Sequence, residues 1–464
     1  MRNGLIILLL AVLIMIGVIF IINRNAEAAT EIYVATDGND EQSGTKASPY
    51  QTLNKAAEEA TPGTTVYIRE GVYKEQLVVQ HSGTKANRIV FQPYMEEKVV
   101  LSGTGMEHKA GDTALLTINS QDYIEIRGLV LENLATDLAD ETVMGIHVTG
   151  SSSHIILENN HIRQVETHAE GGNAHGIAVY GTEPMTDINV IGNTVEELKL
   201  GASEALVLNG NIDGFNVERN TVRHNDNIGI DLIGYEGVSS EQDYVRNGTV
   251  RNNVIHDISS YGNPAYGDDY SAGGIYVDGG KNITIEENTI HHSDIGIEVT
   301  SEHAGQYADQ IKVLRNTVYN NFYTGISIGG YDAKRGGTKN SIIAKNVLYR
   351  NDTKELGGGQ LLIQHDVKDN TIEKNILTAG PSHLFVANYF TTNEGNTLSR
   401  NVFHKEEEEA AAWVWKVEEF TSFMDFKAAS KSDTFSSYMD VTYKNPNKGN
   451  FELKEGSPVQ EVIE

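Results

Sequence analysis

The chain has 464 residues, a net charge of −28 and no cysteine. So acidic a chain excludes nucleic acid as its main partner, because phosphates would be repelled. With no disulfide to help, stability must come from packing, and the charge suits a soluble exported protein able to bind hard cations.

Residues 1–29 read as a targeting segment. Arg2 precedes an apolar run from Leu5 to Ile22, and Ala26-Glu27-Ala28 offers small residues for cleavage. The run is also just long enough to span a bilayer. Export with cleavage is expected, giving a secreted protein; the alternative is an uncleaved N-terminal anchor at the cell surface, and only that anchor would touch the membrane. The segment carries Arg2, Arg24 and Glu27, so the remainder of the chain is near −29.

Thr52–Ala60 is the one clear early helix, with Leu53, Ala56, Ala57 and Ala60 on one face. It is expected to cover the open end of a stacked structure. Asp37-Gly38-Asn39-Asp40 resembles a calcium loop but reads better as a turn.

Beyond this the chain repeats itself. An asparagine two residues before an apolar position recurs at Asn160, Asn193, Asn220, Asn253, Asn288, Asn316, Asn346, Asn375 and Asn401, at intervals of 26 to 35 residues. Ile126-Arg127-Gly128 looks like an earlier copy with Gly in place of Asn. Each unit holds short runs of alternating apolar and polar residues, such as Gly274–Asp278 and Gly296–Thr300, and no amphipathic helix. That pattern predicts an all-β parallel β-helix over residues 30–403, with about ten coils in a rod roughly 45–50 Å long. The asparagines are expected to stack in a structural ladder. From 404 to 464 the composition changes to a C-terminal cap, with Trp413 and Trp415 as cap core. A monomer is expected.

The repeat, together with the opening stretches Ile32–Asp40, Ser48–Leu53 and Pro62–Tyr73, resembles the pectate-lyase-like superfamily of right-handed parallel β-helices, including the family 9 and family 6 polysaccharide lyases. The resemblance covers about Glu31 to Phe403. It implies a right-handed coil and an activity on polysaccharide, with β-elimination on a uronate-containing glycan placed first. Fold alone does not settle chemistry.

Aligning the Gly-Ile strands gives two outward columns on one sheet. The first reads His147, Ala178, Val207, Asp231, Tyr276, Glu298, Ser327, Leu362; the second reads Thr149, Tyr180, Asn209, Ile233, Asp278, Thr300, Gly329, Gln364. Insertions on both sides of this sheet make it the floor of a groove. Asp231, Asp278 and Glu298 place three carboxyls at its centre, either as a solvated polar face or as a site. Lyase chemistry would use them, with Asp268 and Asp269, as ligands for Ca2+, and a basic residue for the C5 proton. The family 9 lyases use a lysine base, but no lysine stands on either column; Lys334 and Arg335, in a nearby loop, are the candidates. An inverting hydrolase would instead use the carboxyls as acid and base. His303 is a further catalytic candidate. Tyr276, Tyr270, Tyr235, Tyr180, Glu236, Asn209 and His175 are expected to hold substrate. A third possibility is a rod that binds glycan without cleaving it.

Overall fold

The computed structural model describes residues 30–406, 411–431 and 435–463. The expected targeting segment, residues 1–29, lies outside the described residues. Among the described residues no helix is long and apolar enough to cross a membrane.

The alternating segments form three long parallel sheets wound into one right-handed β-helix. The first sheet starts with Glu31–Val34 on Thr65–Ile68. The second runs from Gly71–Tyr73 to Ser437–Tyr438 through thirteen strands. The third runs from Leu77–Val79 to Ala412–Trp415. Two long strands, Asn173–Ile191 and Leu206–Glu218, turn the corner from the third sheet into the first, with a bulge between Gly181 and Met185. Inward residues such as Ile230, Leu232, Ile275, Val277, Ile297 and Val299 are buried in one continuous core.

Thirteen strands in the second sheet mean about thirteen coils rather than ten, and a rod of about 60 Å. The asparagine column undercounts for a physical reason. The coils of Gly71–Tyr73, Val99–Ser102 and Val130–Thr136 carry no asparagine at that corner, and before Ser437–Tyr438 a serine replaces it: Asn401 donates its backbone N–H to Ser436 Oγ at 2.8 Å.

The ladder itself forms as expected. Asn253 donates its backbone N–H and its Nδ2 to Asn288 Oδ1, both at 2.9 Å, and its Nδ2 also to the Val217 carbonyl at 3.0 Å. The same pattern runs from Asn160 to Asn401. The residue before each ladder asparagine has a left-handed backbone, for example Arg219 (φ 55), Glu287 (φ 57) and Lys345 (φ 59). Such residues are unfavourable for L side chains, so the ladder must hold the corner in place. One correction follows for the early copy. Leu157 pairs with Ile126 and Glu158 with Arg127, so the ladder position is Leu129, whose N–H donates to Asn160 Oδ1; Gly128 occupies the left-handed position.

The early helix spans Leu53–Glu59 and buries Leu53, Ala56 and Ala57 against the first coils. Thr52 caps it by accepting from the Lys55 N–H. Asp40 is occupied by this start, accepting from Gln51 N, Thr52 N and Thr52 Oγ1. Its segment is a turn, as read. At the other end, stacking continues past Phe403: Ala412–Trp415 lies on Leu384–Asn388, and Ser437–Tyr438 on Val402–His404. Trp413 is buried between Phe385 and Phe426, with ring centroids 5.0 and 5.7 Å away, and Phe423–Ser430 forms a helix over this end. Trp415 is half-buried beside the same helix.

Candidate functional site

Strand pairing reproduces the first outward column throughout and the second in two pieces, Thr149–Tyr180–Asn209–Ile233 and Asp278–Thr300. His147, Ala178, Val207, Asp231, Tyr276, Glu298, Ser327 and Leu362 are partners on successive coils. Asp278 pairs with Thr300 in the second column. Asp231 and Glu298 are two rungs apart, and Asp278 lies diagonally from Glu298 at roughly 8 Å along the backbone.

Loops close over this floor from both sides. Two cavities open along it. One, of about 440 Å³, is lined by His147, His175, Tyr180, Glu204 and Glu236. The other, of about 680 Å³, is walled by Tyr266, Tyr270, Tyr276, Tyr323 and Tyr331 around Glu298 and Glu302. Together they reach from Asp112 to Gln364, a groove of about 40 Å at one rung per coil. A solvated polar face would leave its carboxyls exposed. Here Asp231 is 2 % exposed, Asp278 4 % and Glu298 7 %.

Burial governs their ionisation. Removal from water, with the Glu302 charge adding to it, pushes the Asp278 and Glu298 carboxyls up to about 8, and on Asp278 the Glu302 N–H works against the rise. Asp278 adds to the shift on Glu298. Asp231 is raised well above the usual carboxylate range, by burial first and then by Glu204 and Asp278. Glu204, which the columns do not contain, is raised to about 8 by burial and by Glu236. It precedes strand Leu206–Glu218 on the Gly201 turn and reaches the floor from the side. Two carboxyls are distinguished by bonding. Asp278 Oδ1 accepts the Glu302 N–H at 2.6 Å, which favours its ionised form. Glu298 makes no side-chain hydrogen bond among the described residues and faces the tyrosine-walled cavity.

The remaining candidates fall in several places. Tyr276 donates its hydroxyl to Glu302 Oε1 at 3.3 Å. Tyr270 stacks on Tyr261 with centroids 4.7 Å apart. Asn209 donates Nδ2 to Glu236 Oε2 at 2.8 Å. His175 is buried between the Glu204 carbonyl and Tyr180 Oη, and burial lowers it to about 4, so it stays neutral. Tyr235 packs against Tyr244 under Lys281 and lines neither cavity. Lys334 is exposed, while Arg335 lies over the Tyr331 ring at 4.7 Å.

Of the five expected metal ligands, only Asp278 belongs to a group of three or more donors within 4.8 Å of one another, and its companions are Glu236 and His303. Asp268 and Asp269 stand exposed on the groove wall. Two buried oxygens on the second outward column, Asn209 Oδ1 and Thr300 Oγ1, have no hydrogen-bond partner among the described residues.

Comparison with known proteins agrees with the architecture. A profile described as "Pel9A-like, right handed beta helix region" matches residues 32–226, and one described as "Right handed beta helix region" matches residues 206–415. The chain belongs to the pectate-lyase-like right-handed β-helix family. Within this family it is 54% identical over 468 residues to the uncharacterized protein YwoF of Bacillus subtilis (strain 168), covering 100% of both chains. A shorter match, 31% identical over 119 residues, joins 23% of this chain to 29% of pectate lyase PEL9 of Emericella nidulans. Among solved structures, the GH136 lacto-N-biosidase from Eubacterium ramulus superposes with a TM-score of 0.53 at 13% identity. That superposition covers 81% of this chain and 64% of the other, so the chain spans less than two thirds of that protein, and the likeness is one of fold.

Proposed function

We propose that this family member cleaves a polysaccharide outside the cytoplasm, and that its groove performs hydrolysis with Glu298 as general acid and Asp278 as general base. One observation carries the reading: two buried carboxyls on adjacent coils differ in what holds their charge, and one of them, Glu298, lines the tyrosine-walled cavity, while Asp278 is held behind it by the Glu302 N–H. Ionising Asp278 first raises its neighbour Glu298, so the pair loses its protons in two separate steps. The singly ionised pair then has the proton on Glu298 and the charge on Asp278, next to the Glu302 N–H. Glu298 gives its proton to the glycosidic oxygen as the C–O bond breaks. Water attacks the anomeric carbon and its proton passes to Asp278. Inversion needs carboxyls about 6.5–9.5 Å apart to admit water, and side chains rising from backbones roughly 8 Å apart on one sheet can reach that spacing. The tyrosines supply flat apolar faces for sugar rings.

Elimination on a uronate glycan is the second reading, favoured by the Glu236, Asp278 and His303 group. The unpartnered oxygens of Asn209 and Thr300 fit an oxygen-seeking cation such as Ca2+ near this group, although the imidazole suits Mn2+ or Zn2+ better. Such an ion would neutralise a uronate carboxylate. Export rests on the sequence of residues 1–29.

The test is a panel of neutral and uronate polysaccharides, followed for new reducing ends and for unsaturated-uronate absorbance, with added cation and with chelator. Reducing ends without absorbance support hydrolysis. Absorbance that requires cation replaces it with elimination. Binding without either product removes the enzyme reading.

A further inference from the structure

The corner between the second and third sheets carries a second group of ligating side chains, well apart from the groove floor. Arg223 pairs with His256, and His256 with His291. The residues that follow them, His224, Asp257 and His292, therefore form one column on three successive coils. All three have a left-handed backbone, with φ of 53, 56 and 54. The coil repeat thus brings four histidines and one aspartate to a single corner.

Two imidazoles converge on one carboxylate oxygen there. His256 Nδ1 lies 2.6 Å from Asp257 Oδ2, and His224 Nδ1 lies 3.7 Å from the same oxygen. His224, His256 and Asp257 each offer a donor atom within 4.8 Å of the other two. In a tetrahedral zinc site, ligands about 2.0–2.2 Å from the metal stand roughly 3.4 Å from one another, so small side-chain movements suffice. Among the described residues Asp257 forms ion pairs with these two histidines and with no lysine or arginine. His256 stacks on His291 at 4.8 Å, which fixes its ring plane. His291 Nδ1 is in turn 2.7 Å from His292 Nδ1, leaving His292 one coil beyond Asp257. His224 and Asp257 are exposed enough for an ion to enter.

We propose that His224, His256 and Asp257 bind a divalent first-row transition-metal ion of the Zn2+ class. Two imidazoles and one carboxylate match the donor preference of such ions, and disfavour Ca2+ and Mg2+. The ion would pin the coil of His224 to the coil of His256 and Asp257, the same two coils whose third-sheet strands carry Asp231 and Asp278. Its role is then structural support beneath the groove, and it stands independently of the chemistry proposed there.

The experiment is isothermal titration of the full-length protein with Zn2+, in wild type and in Asp278→Asn. The second background disables the groove group of Glu236, Asp278 and His303, which is the competing site. One Zn2+ equivalent should remain in Asp278→Asn. His224→Asn, chosen because asparagine tolerates a left-handed backbone, should weaken that equivalent at least about tenfold, as should His256→Ala. Thermal melting gives a second readout: Zn2+ should raise Tm in Asp278→Asn and not in Asp278→Asn/His224→Asn. Unchanged Zn2+ affinity in His224→Asn would overturn the proposal, as would the absence of uptake in Asp278→Asn.

Discussion

The ladder corner and the groove floor are cut from the same coils and treat buried polar groups in opposite ways. Along the corner, each asparagine from Asn220 to Asn375 accepts two hydrogen bonds at Oδ1 and donates two from Nδ2. Along the floor, buried carboxyls crowd one another, and Asn209 Oδ1 and Thr300 Oγ1 find no partner among the described residues. Unmet polar groups cost stability, and like charges in a dry site cost more. A chain that satisfies the corner so completely has the means to satisfy the floor. The corner is architecture; the floor keeps its polar groups buried and unmet, which is what the proposed ligand-binding role calls for.

The largest effect expected is from Glu298→Gln, which removes the donated proton while keeping shape; cleavage of whatever glycan the panel identifies should fall by about 10²–10⁴-fold. Full activity would take Glu298 out of the chemistry. On the corner, Asn288→Ala strips Asn253 of its acceptor and the Val250 carbonyl of its donor, at an expected cost of about 2–3 kcal/mol in denaturant unfolding. A loss under about 0.5 kcal/mol would show that the ladder is decoration. Tyr270→Ala should raise KM about tenfold with a smaller change in kcat, because in the proposed reading its ring stacks on sugar and moves no proton.

The smallest effect has a distinctive sign. Asp278 and Glu298 have folded-state values raised to about 8, above the ordinary carboxylate range of unfolded chains. Between those limits the folded protein holds more protons than the unfolded one, so stability falls as pH rises toward 8 and levels off beyond it. Asp278→Asn should therefore raise Tm at pH 8 and leave it nearly unchanged at pH 5. Melting curves at the two pH values check this, and an equal shift at both would point to packing instead.

Much of this was legible before the fold was known. The alternation at Gly274–Asp278 and Gly296–Thr300 set the strand register, and the asparagine column marked the corner. Strand register is encoded locally, residue against residue, so Asp231, Tyr276 and Glu298 could be aligned correctly. What the columns could not supply was the path of the loops. Glu204 reaches the floor through the turn at Gly201, and His303 meets Asp278 from a loop, so neither stands on a strand column. Tyr235, expected in the groove from its place after the floor strand, packs against Tyr244 instead, and Lys334 stands exposed on its loop. Burial of the floor also escaped, because it depends on insertions folding back over strands far from them in sequence.

The most direct measurement of the central claim needs no substrate. Infrared titration of the carboxylic C=O stretch, in wild type, Glu298→Gln and Asp278→Asn, reports protonated carboxyls in the folded protein. A protonated-carboxyl band should persist at pH 7 and fade in two steps as pH rises through about 8, the earlier step missing in Asp278→Asn and the later one missing in Glu298→Gln. Complete loss of that band by pH 6 in the wild type would mean the floor carboxyls are ordinary, and would contradict the reading of the groove as a prepared acid–base site.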